Sequence, residues 1–218
     1  MKKIILSVLA IAAMATTANA QLWFGGSVSF SHSDSKLERD NTKTKNPSRN
    51  SFSFAPMVGF ELNEQLSVGG KLNLATSTTK NYTYIGSTET EDKDVSSTMG
   101  VTPFARYKFA EFNKFGIVAE AGLPVYLTLS KNDNGNTTQK DKQTSISLYV
   151  TPLLTYSLND HFQLECGLNF LSLNAYHSVI KARDDRDYKN TQNSVRFGAN
   201  TNDVVNVGNI TIGFIYKL

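Results

Sequence analysis

The sequence predicts an all-β chain, an eight-stranded antiparallel up-and-down transmembrane β-barrel. Three observations carry this expectation. Apolar residues recur at every second position in blocks of about ten from Leu22 to the end, the period of a strand and not of a helix. Tight connections alternate with long, charged ones, as in barrels whose turns are short at one membrane face and extended at the other. The face opposite the apolar residues holds Ser, Thr, Gly and Asn with few charges, which does not suit contact with bulk water.

The chain has 218 residues, 40% of them apolar and 11% aromatic, enough for one folded unit and too rich for a disordered one. Lys and Arg number 22 against 19 Asp and Glu, an excess of three that provides no broad basic field, so nucleic acid is not an expected partner. Cys166 is the one cysteine and can build neither an internal disulfide nor a Cys-rich zinc site.

Residues 1–20 read as an export signal. Met1-Lys2-Lys3 is a positive start, Ile4 to Ala15 an apolar core, and Ala18-Asn19-Ala20 supplies the small residues for cleavage. A membrane-spanning helix would need roughly 20 apolar residues, and this run is shorter. The barrel is therefore expected over 21–218.

The blocks follow in order. Leu22, Phe24, Val28 and Phe30 share the first apolar face, against Gly25, Ser27, Ser29 and Ser31. The second block sets Phe52, Phe54, Val58, Phe60 and Leu62 against Ser53, Ala55 and Gly59; the third sets Leu66, Val68, Leu72 and Leu74 against Gly69, Lys71 and Asn73. Met99, Val101, Ala105, Tyr107 and Phe109 make the fourth, and Phe115, Ile117, Ala119, Ala121, Leu123, Val125 and Leu127 the fifth. The sixth carries Ile146, Leu148, Val150, Leu154, Tyr156 and Leu158. Phe162, Leu164, Cys166, Leu168 and Phe170 form the seventh, and Ile210, Ile212, Phe214, Tyr216 and Leu218 the last. The short connections are Asn63 to Gln65, Ala110 to Lys114 and Asn159 to His161. The long ones are 34–51, about 81–95, 130–143 and 178–204, and they take most of the charge.

A soluble periplasmic barrel would alternate too, but its wet face would need many charges. Small polar residues between large aliphatic ones suit instead a narrow lumen, with the apolar face toward lipid. Aromatic residues fall at two levels: Tyr107, Phe109, Phe112, Phe115, Tyr156, Phe162 and Tyr216 near the short turns, and Phe30, Phe52, Phe54, Tyr82 and Tyr84 toward the long loops. Membrane-interface girdles have this distribution, although aromatics are common in any strand.

Three segments align up to their turns: Ala55-Pro56-Met57-Val58-Gly59-Phe60-Glu61-Leu62, Thr102-Pro103-Phe104-Ala105-Arg106-Tyr107-Lys108-Phe109 and Thr151-Pro152-Leu153-Leu154-Thr155-Tyr156-Ser157-Leu158. Each then turns back into an apolar strand, so the chain is a series of hairpins. In this recurrence of Pro, an aromatic and an Asn-type turn, the sequence resembles the outer membrane protein beta-barrel domain family, small barrels of the OmpA/OmpX kind. The resemblance implies an outer-membrane location, both termini in the periplasm and four loops facing outward. It also implies a closing strand, Thr211 to Leu218, that the barrel assembly machinery would recognise. The surroundings would be outer-membrane lipid and lipopolysaccharide, and the loops would be free for a host or cell-surface ligand. Pro56, Pro103 and Pro152 remove ladder donors in a barrel without free edges, so bulges or missing bonds are expected there.

Taking the tight turns as register marks, Lys71, Phe104, Arg106, Glu120 and Glu165 point inward, with Met57 opposite Lys71, Phe104 opposite Glu120 and Thr155 opposite Glu165. Isolated charges in a narrow interior are costly. Either Lys71 and Arg106 engage Glu120 and Glu165 as a polar plug, or each is solvated separately by lumen water. No cofactor or metal is expected: Asp184-Asp185-Arg186-Asp187 and Glu89-Thr90-Glu91-Asp92 lack the spacing of a calcium loop. His32 and His177, beside Ser31, Ser33 and Ser178, are the residues a lipid-modifying rim enzyme would use, but with serine so abundant chance adjacency accounts for them better; His161 lies in a turn. The expected role is that of a non-enzymatic surface barrel in envelope integrity or adhesion. A rim enzyme, a small pore and a soluble periplasmic barrel are the alternatives.

Overall fold

The computed structural model describes residues 21–33, 36–39, 42–45, 47–85, 88–133, 137–168, 171–182, 189–199 and 210–218, so the export signal expected at 1–20 lies outside the described residues. Among these the chain is built of strands: β1 (Gln21–Ser33), β2 (Lys36–Arg39), β3 (Thr42–Lys45), β4 (Ser48–Glu61), β5 (Leu66–Ile85), β6 (Thr88–Phe112) and β7 (Phe115–Gly122). They continue with β8 (Val125–Asp133), β9 (Thr138–Ser157), β10 (Phe162–Leu168), β11 (Leu171–Ala182), β12 (Lys189–Ala199) and β13 (Ile210–Lys217). β1, β4, β5, β6, β7, β9, β10 and β13 pair in that order, all antiparallel, and β13 pairs back onto β1, closing a ring of eight. Toward the long-loop end β8 takes the place of β7, and β11 pairs with β9 above β10.

Side-chain orientation decides the kind of barrel. Most of the large apolar residues face outward and stay exposed: Val28 is 54% exposed, Met99 53%, Leu148 47% and Phe214 52%. The buried side chains are the inward ones, including Thr102, Ser145, Thr151, Thr155, Arg106 and Glu120. This is the polarity of a barrel dissolved in lipid, and the reverse of a soluble one. At the short-turn end the outward aromatics pack on one another, with Phe115 and Tyr156 ring centroids 4.7 Å apart and Phe162 and Tyr216 4.9 Å apart.

Each short turn uses an asparagine. Asn63 Oδ1 accepts from the Gln65 and Leu66 amides, Asn159 Oδ1 accepts from those of His161 and Phe162, and Asn113 sits at a positive φ of 56°. Asx turns and left-handed asparagines are what tight hairpins require. The Asn113 turn falls within the expected Ala110–Lys114 connection but is tighter, since β6 continues to Phe112 with a bulge between Lys108 and Ala110. That moves the pairing by two residues: Phe104 stands opposite Gly122, and Arg106, not Phe104, stands opposite Glu120. An even shift keeps every side chain on its face. Met57 opposite Lys71 and Thr155 opposite Glu165 stand as expected.

The three prolines sit where a ladder is broken on one side. Between β4 and β5 the pairing lapses from Phe54 to Met57, around Pro56. β6 changes partner from β8 to β7 between Val101 and Phe104, and β9 changes from β11 to β10 between Val150 and Leu153. A residue without an N–H costs least where no acceptor is paired with it.

Much of what reads as long loop is strand. β5 and β6 stay paired out to Ile85 and Thr88, β8 and β9 out to Asp133 and Thr138, and β11 and β12 run from Leu171–Ala199 to Lys181–Lys189. Threonine-rich polar segments such as Thr76–Thr79 have strand propensity without apolar alternation, so period-two hydrophobicity alone ends the strands too early.

Candidate functional site

Inward-facing positions of β5, β6, β7 and β10 bring Lys71, Arg106, Glu120 and Glu165 together at mid-lumen. Lys71 Nζ donates to Glu120 Oε1 at 2.5 Å. Arg106 lies between the two carboxylates: its Nε donates to Glu120 Oε2 at 2.8 Å, while Nη1 and Nη2 donate to Glu165 Oε2 and Oε1 at 2.7 and 3.2 Å. The second pair is the two-pronged geometry that a guanidinium fork makes with a carboxylate. Tyr149 adds its hydroxyl to Glu120 Oε1 at 2.5 Å. Two cations face two anions, Arg106, Glu120 and Glu165 are all buried, and no buried side-chain polar atom among the described residues lacks a partner.

An apolar layer lies against this network. Trp23, Met57, Phe104 and Ile215 form one buried cluster inside the lumen. The Arg106 guanidinium sits 5.0 Å from the ring centroids of both Trp23 and Phe104, and Lys71 Nζ is 5.2 Å from Phe104. Cation–π contact suits charges that have left water. The rings fit because glycines face them across the ladder: Gly59 opposes Trp23, Gly69 opposes Phe104, Gly100 opposes Tyr126 and Gly122 opposes Tyr149. A Cβ on Gly59 would stand 2.1 Å from Trp23 Cζ2, and one on Gly122 would stand 2.5 Å from Tyr149 Cζ.

Cavities flank the two layers. On the long-loop side a space of about 380 Å³ is walled by Asn73, Thr102, Tyr126, Tyr149 and Asn174; on the turn side a space of about 80 Å³ meets Glu61, Lys108, Thr155 and Lys217. Arg106 borders both. The family model for the outer membrane protein beta-barrel domain matches residues 4–217. The chain belongs to this family.

As a member, this outer-membrane barrel protein resides in the outer membrane, its apolar belt in lipid. Among curated proteins none matches it in sequence. Its fold is similar to that of a major outer membrane protein from Thermus thermophilus, at 13% identity over 92% of this chain and 100% of that one, TM-score 0.47. It is also similar to OprG from Pseudomonas aeruginosa, at 13% identity over 92% and 96%, TM-score 0.44. Neisserial surface protein A gives 17% identity over 90% and 97%, TM-score 0.40.

The rim histidines of this barrel do not join the neighbouring serines. Adjacent residues of a strand point to opposite faces. His32 faces outward and bonds Asn50 Oδ1 at 2.5 Å, whereas Ser31 faces the lumen and bonds Ser51 at 2.6 Å. His177 faces outward to Asn193 Oδ1 at 2.6 Å, and Ser178 is fully buried on the inner face under Gln143 Nε2 at 2.8 Å. His161 stays in its turn, Nδ1 3.0 Å from the Lys217 carbonyl. No group of three or more metal-ligating side chains occurs among the described residues, and Asp184, Asp185 and Asp187 lie outside them.

Sequence reasoning passed over Trp23 and Tyr149 in this interior. Trp23 has the parity of Gly25 and Ser27, and Tyr149 that of Thr151 and Thr155, so the polar face already contained them. The facing glycines that accommodate them belong to other strands.

Proposed function

We propose that this protein is a non-enzymatic surface barrel whose lumen is closed to ions, contributing to envelope integrity and presenting its outer hairpins to a host or cell-surface ligand. The observation that carries this reading is Arg106, held between Glu120 and Glu165 across the barrel and covered by Trp23 and Phe104. With these charges neutralised pairwise, an ion that reaches this layer from either cavity must break bonds in a poorly solvated interior to pass it. Lys71, Arg106, Glu120 and Glu165, bonded to one another, serve here as a closed ion-pair network. Export by residues 1–20, insertion by the barrel assembly machinery and a surround of lipopolysaccharide belong to the same reading.

Planar-bilayer recordings of the refolded 21–218 chain test it. We expect no resolved channel events from the native protein and discrete conductance after Arg106→Ala combined with Trp23→Ala. Stable single-channel steps from the native barrel would overturn closure in favour of the small pore.

A further inference from the structure

We propose that the outer wall of β8, β9, β11 and β12 carries a docking site for the phosphorylated headgroup of lipopolysaccharide, with one acyl chain lying in the groove beneath. The proposal rests on the outer-membrane placement above and adds a defined lipid site to it. On this wall lysines stand directly opposite one another: Lys131 with Lys140, Lys142 with Lys181, and Lys181 with Lys189. Lys140, Lys142, Lys181 and Lys189 are exposed, and no described acidic residue bridges any of them. Among the described residues Lys131 alone of this row has a carboxylate, Asp133 at 3.4 Å, while Asp141 has the opposite parity to Lys140 and Lys142. Like charges directly opposed in a ladder repel, and an external anion bridging the row relieves that repulsion.

Height selects the kind of anion. Outward residues of β9 run from Tyr156 in the turn-side girdle to Ile146, ten positions. At about 3.3 Å per residue and a tilt near 40° this spans about 25 Å, the height of the apolar band. Lys142 lies four residues beyond Ile146, about 10 Å higher by the same geometry, at headgroup level. Below the lysines, a surface groove of about 540 Å³ runs between Ile146, Leu148, Ala175 and Val195, with His177 and Asn193 at its upper end. Cations above an apolar groove match an anionic amphiphile rather than a soluble anion.

The test is titration of the folded 21–218 chain in zwitterionic detergent with lipopolysaccharide, with the same material after enzymatic dephosphorylation, and with inorganic phosphate. We expect the native barrel to bind the phosphorylated form on the order of a hundredfold more tightly than the dephosphorylated one. K142Q/K181Q/K189Q should lose that margin, K142R/K181R/K189R should keep it, and Ala175→Trp, which fills the groove, should weaken it. Equal binding of both forms by the native barrel overturns the proposal without recourse to a variant. Inorganic phosphate matching the lipid in affinity also overturns it. Heat-modifiable gel mobility and membrane fractionation, read separately, report whether the barrel itself folds and inserts. A barrel that inserts but does not discriminate refutes the lipid site alone.

Discussion

Arg106 and Glu120 stand directly opposite one another on β6 and β7, joined at 2.8 Å, and Arg106 reaches past that partner to a second carboxylate on β10. One guanidinium thereby ties three strands of the ring across its interior. Removing it strands two buried carboxylates, with Lys71 and the Tyr149 hydroxyl left to serve Glu120 and neither of them reaching Glu165. Arg106→Ala is expected to cost about 3–5 kcal/mol in urea unfolding of the detergent-folded barrel. Arg106→Met with Glu165→Gln should cost less than the sum of the single changes, because the second change removes the charge that the first one orphans.

Tyr149→Phe deletes a hydroxyl that donates to Glu120 and nothing else in the packing. The expected loss is about 1.5–3 kcal/mol, the range for a hydrogen bond to a charged group, with gel mobility of the folded form unchanged.

Gly59→Ala places a methyl 2.1 Å from the Trp23 ring, so one of them has to move. Overpacking of this kind costs about 1–3 kcal/mol. Trp23 is the chain's one tryptophan, so its fluorescence reports this site directly; a red shift and easier quenching are expected as the ring leaves its pocket.

Asn113 occupies the left-handed region at the turn between β6 and β7. Asn113→Gly should leave stability within about 0.5 kcal/mol. Asn113→Val, a β-branched residue at positive φ, should cost about 1–2 kcal/mol and lower the refolding yield.

Cleavage after Ala20 predicts a mature chain of 198 residues that begins at Gln21. In the folded barrel the Gln21 side-chain amide donates to the Leu218 carbonyl at 2.8 Å, joining the two ends beside the β1–β13 seam. Intact mass of the protein recovered from outer membranes checks the cut, and retention of Met1 would refute it.

Several features were legible because they are local. Alternation placed Leu72, Met99, Leu148 and Phe214 on one face, and the same parity placed Lys71, Arg106, Glu120 and Glu165 on the other. The pairings of Met57 with Lys71 and Thr155 with Glu165 followed from turns whose length can be read directly. Arg106 opposite Glu120 did not, since a bulge after Lys108 leaves no mark in hydrophobic periodicity. The polar extensions of β5 and β6 escaped notice for the same reason: with polar residues on both faces over 76–81 and 88–94, they show no apolar alternation.

By itself, then, the sequence determined which side of the eight apolar blocks meets lipid, where the tight turns fall and which charges point inward, because those depend on residues adjacent along the chain. Tertiary structure alone decided which charges touch, that Trp23 and Tyr149 lie inside against glycines of neighbouring strands, and that lysines of separate strands line up on the outer wall. The physical reason is the closing of the ring. Distances across a lumen, and the order of residues around a wall, are set by the register of eight strands at once and by bulges that the pattern of any one strand does not reveal.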